Sequence, residues 1–288
     1  MPETPRFLFG PTDDPDLLDR TAGPRVDAGR WAAFPAACPS YSAAAAWFGP
    51  GEEPAAILWW PGYTSMPAWL PSAPIPLVAV AHDPNLLWHQ YREQLAIADL
   101  VLTDLPSAER FRRAGFPHAR MANLYGLDRH FLADLKHAEG ERDIDILFVG
   151  NLNPAVQSER LPWLGRLARL VDRWNVRIVT GVRGAEYRAL LRRAKVGFNR
   201  SIRGEFNLRA FEAAASGCVL FQEYDNAEIP YYLSPSIEFV SYGDDDLEER
   251  LERILGDHAE RMRIAERAKR RCVDFATLVE SAVGVGGS

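Results

Sequence analysis

The stretch from Val196 to Phe221, VGFNRSIRGEFNLRAFEAAASGCVLF, constrains the fold more than any other part of the chain. Its apolar start, Val196 to Phe198, reads as a short strand. A polar loop with Asn199, Arg200, Arg203, Gly204 and Glu205 follows. From about Asn207 to Ser216 the pattern is helical, with Leu208, Phe211 and Ala215 on one face at i, i+3 and i+7. Gly217 stands where a helix takes a left-handed residue just past its end. Val219 to Phe221 then reads as a second buried strand, so the stretch is a strand–helix–strand unit of the kind that builds parallel sheets.

The helix also carries polar chemistry. Arg209 and Glu212 are three apart, hence neighbours on its surface, and are expected on the face opposite the apolar stripe. Its first turn is preceded by Arg200 and Arg203. Free N–H groups and the macrodipole favour an anion at such a terminus. A carboxylate one to two turns further in can accept two vicinal hydroxyls. Together these suit a nucleoside diphosphate, with charge at the helix start and ribose beside the helix. An ordinary surface ion pair has the same spacing, however.

Short apolar runs alternate with helical segments through the rest of the chain. Strands are expected at Arg6–Gly10, Ala55–Trp60, Pro76–Ala81, Leu100–Thr103, Ala119–Asn123, Ile144–Val149, Val176–Thr180 and Ile237–Val240. Helices are expected at Leu161–Trp174, Gly184–Arg193, Asp245–Gly256 and His258–Val273. The polar stretch Lys136 to Asp143 is a plausible linker. This reads as an α/β chain of two Rossmann-like parallel-sheet domains, 1–138 and 139–288, facing across a cleft. Ligands in such sheets bind beyond the carboxyl ends of the strands. The informative residues are therefore those just after strands: Pro61 to Tyr63, His82 and Asp83, Gly150 and Asn151, and Asn199 to Glu205.

Composition excludes other classes. Of 288 residues, 47% are hydrophobic and 25% charged, as in a globular protein, and no apolar run is long enough to span a bilayer. The start, MPETPRFLFG, lacks a basic segment followed by a long apolar core, so no secretory signal is expected. Cys38, Cys218 and Cys272 match no metal spacing and read as free thiols of a cytoplasmic protein. The net charge of −6 argues against nucleic-acid binding. From Arg160 to Arg209, however, thirteen Lys/Arg stand against three Asp/Glu. Such a basic zone can be solvated helix surface, line a diphosphate cleft, or touch an anionic membrane.

The core Arg209, Phe211, Glu212, Ala215 and Gly217 (R-x-F-E-x-x-A-x-G) resembles the nucleotide-sugar motif of the group 1 glycosyltransferases, which have the GT-B fold. It is most similar to their spore-maturation-type branch. The resemblance implies that Glu212 holds the ribose hydroxyls. The family's usual Glu-x7-Glu pair is broken here: Gly204 occupies the first position and Glu205 is one step off. ILFVGNL, with Gly150 and Asn151 at its tip, resembles the first strand of the nucleotide domain. Arg160 is the basic candidate in the loop downstream for the family's diphosphate-gripping role. Arg200 and Arg203 compete for it, and Asn207 opens the helix. His82–Asp83 resembles the family's histidine at a strand end facing the donor sugar, often in an H-D pair. The two are the candidate catalytic residues, the histidine able to donate to a hydroxyl or phosphate or to handle a proton near neutral pH. AAILWWPGYTSMP resembles an acceptor-side strand and loop, with Trp59, Trp60 and Tyr63 available to stack on a sugar or to fill the core.

The resemblance implies transfer of a sugar from a UDP- or GDP-sugar to a carbohydrate, protein or small-molecule acceptor. No resident cofactor or metal is expected, and retention of configuration is. A degenerate GT-B binding or scaffold module and a nucleotide-sugar epimerase are the competing expectations.

Overall fold

A computed structural model describes residues 5–14, 30–124, 127, 131, 133 and 140–274. The first half of the expected linker, residues 136–139, falls outside them. The described chain forms two compact units, residues 5–127 and 131–274.

The first unit is a six-stranded sheet in the order β2-β1-β3-β4-β5-β6, every neighbour pair parallel. Its strands are β1 (Phe7–Gly10), β2 (Trp31–Ala33), β3 (Ala56–Trp59), β4 (Leu77–Val80), β5 (Leu100–Thr103) and β6 (Ala119–Met121). The helices are α1 (Tyr41–Ala45), α2 (Pro84–Gln94) and α3 (Leu105–Arg113). Successive side chains of a strand point to opposite faces. Leu8, Ile57, Trp59 and Ala79 thus join one core cluster, and Phe7, Phe9, Leu58, Val78 and Val80 another. Burial on both faces explains why these strands read as continuous apolar runs. Trp59 and Trp60 lie in the two opposite clusters, 1% and 9% exposed, so neither offers a face for a sugar. Tyr63, 56% exposed, does.

The second unit is a five-stranded parallel sheet in the order β11-β10-β9-β7-β8. It comprises β7 (Ile144–Val149), β8 (Val176–Val179), β9 (Ala194–Phe198), β10 (Val219–Glu223) and β11 (Val240–Tyr242). Between them run α4 (Pro154–Gln157), α5 (Leu161–Ala168), α6 (Gly184–Arg193) and α7 (Leu208–Ala215), and after β11 come α8 (Leu247–Gly256) and α9 (His258–Asp274). The chain leaves β7 to one side for β8 and returns on the other for β9. The strand order therefore reverses between β7 and β9, where open α/β sheets bind ligands.

The opening stretch folds as β9, loop, α7 and β10. Asn207 caps α7 through its side chain, and Gly217, at φ 75, ends it. A Cβ on Gly197 would stand 2.8 Å from that of Ala213, so glycine in β9 and alanine in α7 let helix and sheet approach closely. α9 packs against α7 and also against β10. The expected division of α7 into an apolar and a chemical face is corrected: Ala210 to Ala215 are all buried, Glu212 included. Glu212 is four residues after Leu208 and so belongs beside the stripe, not opposite it.

Two other expectations shift. The helix from Leu161 stops at Ala168, because Arg169 and Leu170 bond back three residues, to Arg166 and Leu167, and tighten into turns. The strand expected at Ile237–Val240 begins only at Val240. Ser236 is left-handed, φ 62, and Glu238 Oε2 accepts from Ser234 N, which makes that segment a turn.

Candidate functional site

Gly150 and Asn151 follow β7, Asn199 and Arg200 follow β9, and Arg209 lies in the first turn of α7. Arg209 reaches back across the reversal point. Its Nε donates to Val149 O at 2.5 Å and its Nη1 to Asn199 Oδ1 at 2.7 Å. The guanidinium carbon stands 4.7 Å from the Phe148 ring centre. A Cβ on Gly150 would collide with that guanidinium, so residue 150 is glycine because Arg209 fills the space.

Arg160, just before α5, comes to the same ring, 5.3 Å from its centre. It is 4% exposed, donating Nε to Arg200 O at 3.1 Å and Nη1 to Asn151 O at 3.3 Å. Burial first, and the Arg209 charge second, hold its pKa down at about 10. Burial also lowers that of Arg209. Two guanidiniums thus share one aromatic support and repel each other, beside the N-terminus of α7. An anion beside them would offset that repulsion.

Buried polar groups fix the loop between β9 and α7. Asn199, fully buried, donates Nδ2 to Gln222 Oε1 at 2.7 Å while accepting from Arg209. Tyr242 donates its hydroxyl to Asn199 O at 2.6 Å. Glu223 accepts from Ser201 N at 3.1 Å and from the Ser201 hydroxyl. Glu228 accepts from Phe206 N at 2.8 Å. These anchors come from β10, β11 and the segment after β10.

The remaining expected residues of this unit fall around the arginine pair. Asn207 caps α7, and its Nδ2 lies 3.4 Å from Asn199 Oδ1. Arg200 turns to Trp163, 5.1 Å from the ring centre, and to Asp225, 3.2 Å away. Arg203 is exposed, with φ 57, and Gly204 follows at φ 80. A left-handed non-glycine residue is uncommon and marks a loop held by its surroundings. Glu212, 8% exposed, accepts from the Tyr187 hydroxyl at 2.8 Å through Oε2. Tyr187 is in α6, and its pKa is raised well above the ordinary value, by burial first and then by the Glu212 charge. Phe148 lies within the ILFVGNL stretch and Asn199 opens the loop after β9, both singled out by the sequence, whereas Tyr187 carries no motif that marks it.

In the first unit, His82 and Asp83 follow β4. His82 is 3% exposed and stacks on Trp60 with ring centres 3.7 Å apart. Its carbonyl accepts from the Tyr91 hydroxyl at 2.6 Å. Burial pushes its pKa down to about 3, so the ring is neutral near pH 7. Asp83 is left-handed, φ 50, directly before α2, and its Oδ2 accepts from the Tyr63 hydroxyl at 2.6 Å.

Among the described residues, no three His, Cys, Asp or Glu are grouped to hold a metal ion, and no helix is long and apolar enough to cross a membrane. A search of curated proteins finds no match to the sequence. Solved structures do match. Anabaena HepE in complex with UDP has a TM-score of 0.56 at 13% identity, over 97% of this chain and 98% of its own. A variant of S. aureus TarM, in complex with fondaparinux, α-GlcNAc-glycerol and UDP, gives 0.55 at 8% identity over 79% of this chain. The GtfA/B complex gives 0.52 at 12% identity over 79% of this chain. This chain spans 53% of the TarM chain and 56% of the GtfA/B chain. At these identities the likeness is one of fold, and it is the expected GT-B class of two parallel-sheet α/β domains. The sequence adds the family. Residues 112–282, more than half of the chain, match the family model described as glycosyl transferase-like, and the chain belongs to that family.

Proposed function

We propose that the protein transfers a sugar from a nucleotide-diphosphate donor, a UDP- or GDP-sugar, to a carbohydrate, protein or small-molecule acceptor. The observation that carries the reading is the Arg160–Arg209 pair on Phe148, at the reversal point of the sheet and beside the start of α7. UDP in the HepE and TarM structures supports it.

In this reading the nucleotide domain is 139–288. Arg160, Arg209 and the α7 N-terminus bind the diphosphate, with Arg203 at the loop tip. Gly150 makes room for the Arg209 guanidinium, Asn151 lies beside the donor at the tip of β7, Arg200 and Asn207 hold the loop, and Glu212 accepts the ribose hydroxyls. As the bond from the anomeric carbon to the diphosphate breaks, negative charge grows on the leaving oxygen. The guanidiniums stabilise it without reorganising. Domain 1–138 receives the acceptor. There Asp83 and Tyr63 offer polar contacts, and His82 acts as a neutral hydrogen-bonding group. We assign the chain to the spore-maturation-type branch, with retention of configuration, no metal requirement and a cytoplasmic location.

Calorimetric titration of UDP and GDP without metal, on wild type and Glu212→Ala, tests the reading. One nucleotide is expected to bind the wild type, and the variant to lose about tenfold or more in affinity. Absence of binding to either at millimolar concentration overturns the transferase. It leaves the degenerate module, which Gly204 in the place of the first glutamate favours. Turnover of the donor alone to an epimeric nucleotide sugar indicates the epimerase instead.

A further inference from the structure

Glu212 does not stand alone. Tyr187 lies in the first turns of α6, which follows β8, and Glu212 in α7, which follows β9. The two helices meet through the Tyr187 hydroxyl, 2.8 Å from Glu212 Oε2. A glutamate carboxylate rotates almost freely about its last torsion, and this hydrogen bond fixes the plane of its oxygens. An ionised carboxylate oxygen accepts more than one hydrogen bond, so Oε2 can hold Tyr187 and a ligand hydroxyl together. Half-buried against a carboxylate, the phenol stays protonated and remains a donor throughout the neutral range.

We propose that Tyr187 is a positioning residue that orients the Glu212 carboxylate for a vicinal diol, and so makes the site select ribonucleotides over 2′-deoxyribonucleotides. A fixed carboxylate gains from both hydroxyls at once, because its orientation is set before the ligand arrives. With only a 3′-hydroxyl, half of that arrangement has no partner. The inference rests on the nucleotide-sugar reading above and goes beyond it in naming what sets sugar selectivity.

The test is calorimetric titration of UDP, 2′-deoxy-UDP, GDP and 2′-deoxy-GDP against wild type and Tyr187→Phe. The substitution removes one oxygen and keeps the ring, and thermal unfolding checks that the fold is retained. Wild type is expected to bind a ribonucleotide about tenfold or more tighter than its 2′-deoxy counterpart, the scale of a hydrogen bond to a charged group. In Tyr187→Phe that ratio is expected to fall below about threefold, through weaker ribonucleotide binding at unchanged 2′-deoxy affinity. A purely structural role would weaken both nucleotides equally, and that outcome overturns the inference. So does a wild-type ratio in the variant, or a wild type that does not discriminate. In those cases the nucleotide site itself still stands. Wild-type protein that binds none of the four overturns the underlying reading as well.

Discussion

At the scale of single residues, the candidate site depends on what is absent at residue 150. Arg209 occupies the volume that a Cβ there would need, with the Phe148 ring 3.0 Å from the same point. Gly150→Ala is therefore expected to lower stability by about 1–3 kcal/mol, the usual cost of overpacking. It should also weaken nucleotide binding, because Arg209 must move. Urea unfolding checks the first effect. In an Arg209→Ala background most of the destabilisation should disappear, since the colliding group is gone. An equal cost in both backgrounds would show that Arg209 is not what excludes a side chain there.

At the scale of elements, α7 is set by how closely it meets β9. Gly197 and Ala213 are small residues that face each other, and α9 packs against the same helix. Gly197→Ala is expected to push α7 off the sheet and lower the urea midpoint, by about 1–3 kcal/mol of stability, with an unchanged slope. Ala213→Gly in the same chain should recover part of the packing, less the cost of glycine in a helix, about 1 kcal/mol. No recovery in the double variant would place the strain elsewhere. The same close packing explains why Glu212 is buried: a short helix packed against a sheet and against another helix has little outer face.

For the whole molecule, His82 links stability to pH. Its folded pKa, about 3, lies below the ordinary 6.5. Between those values the unfolded chain binds a proton that the folded chain does not, so stability falls as pH falls through that window. The slope from this one group is at most about 1.4 kcal/mol per pH unit. Above pH 6.5 the contribution is fully present and level. In His82→Gln this slope is removed, so the stability gap between wild type and variant should shift in the variant's favour as pH drops from 7 to 4. Chemical denaturation at several pH values measures it, and a constant gap over that range would refute the assignment.

Local pattern carried a large part of this protein. Apolar runs alternating with helical periods sufficed for an α/β chain of parallel strands, because each run must be buried on both faces. Asn207 and Gly217 marked the ends of α7 through capping chemistry that needs only near neighbours. Strand tips pointed to Gly150, Asn151, His82 and Asp83, since chain direction in a parallel sheet fixes which end is open. What the pattern could not contain is which distant residues meet. Arg160 and Arg209 share Phe148, Tyr187 reaches Glu212, and Glu223 and Glu228 hold a loop from the strand beyond it. Those contacts depend on the order β11-β10-β9-β7-β8 and on how tightly α7 is pressed to β9. Strand order and helix depth arise from packing among elements far apart in the chain, and local periodicity holds no record of either.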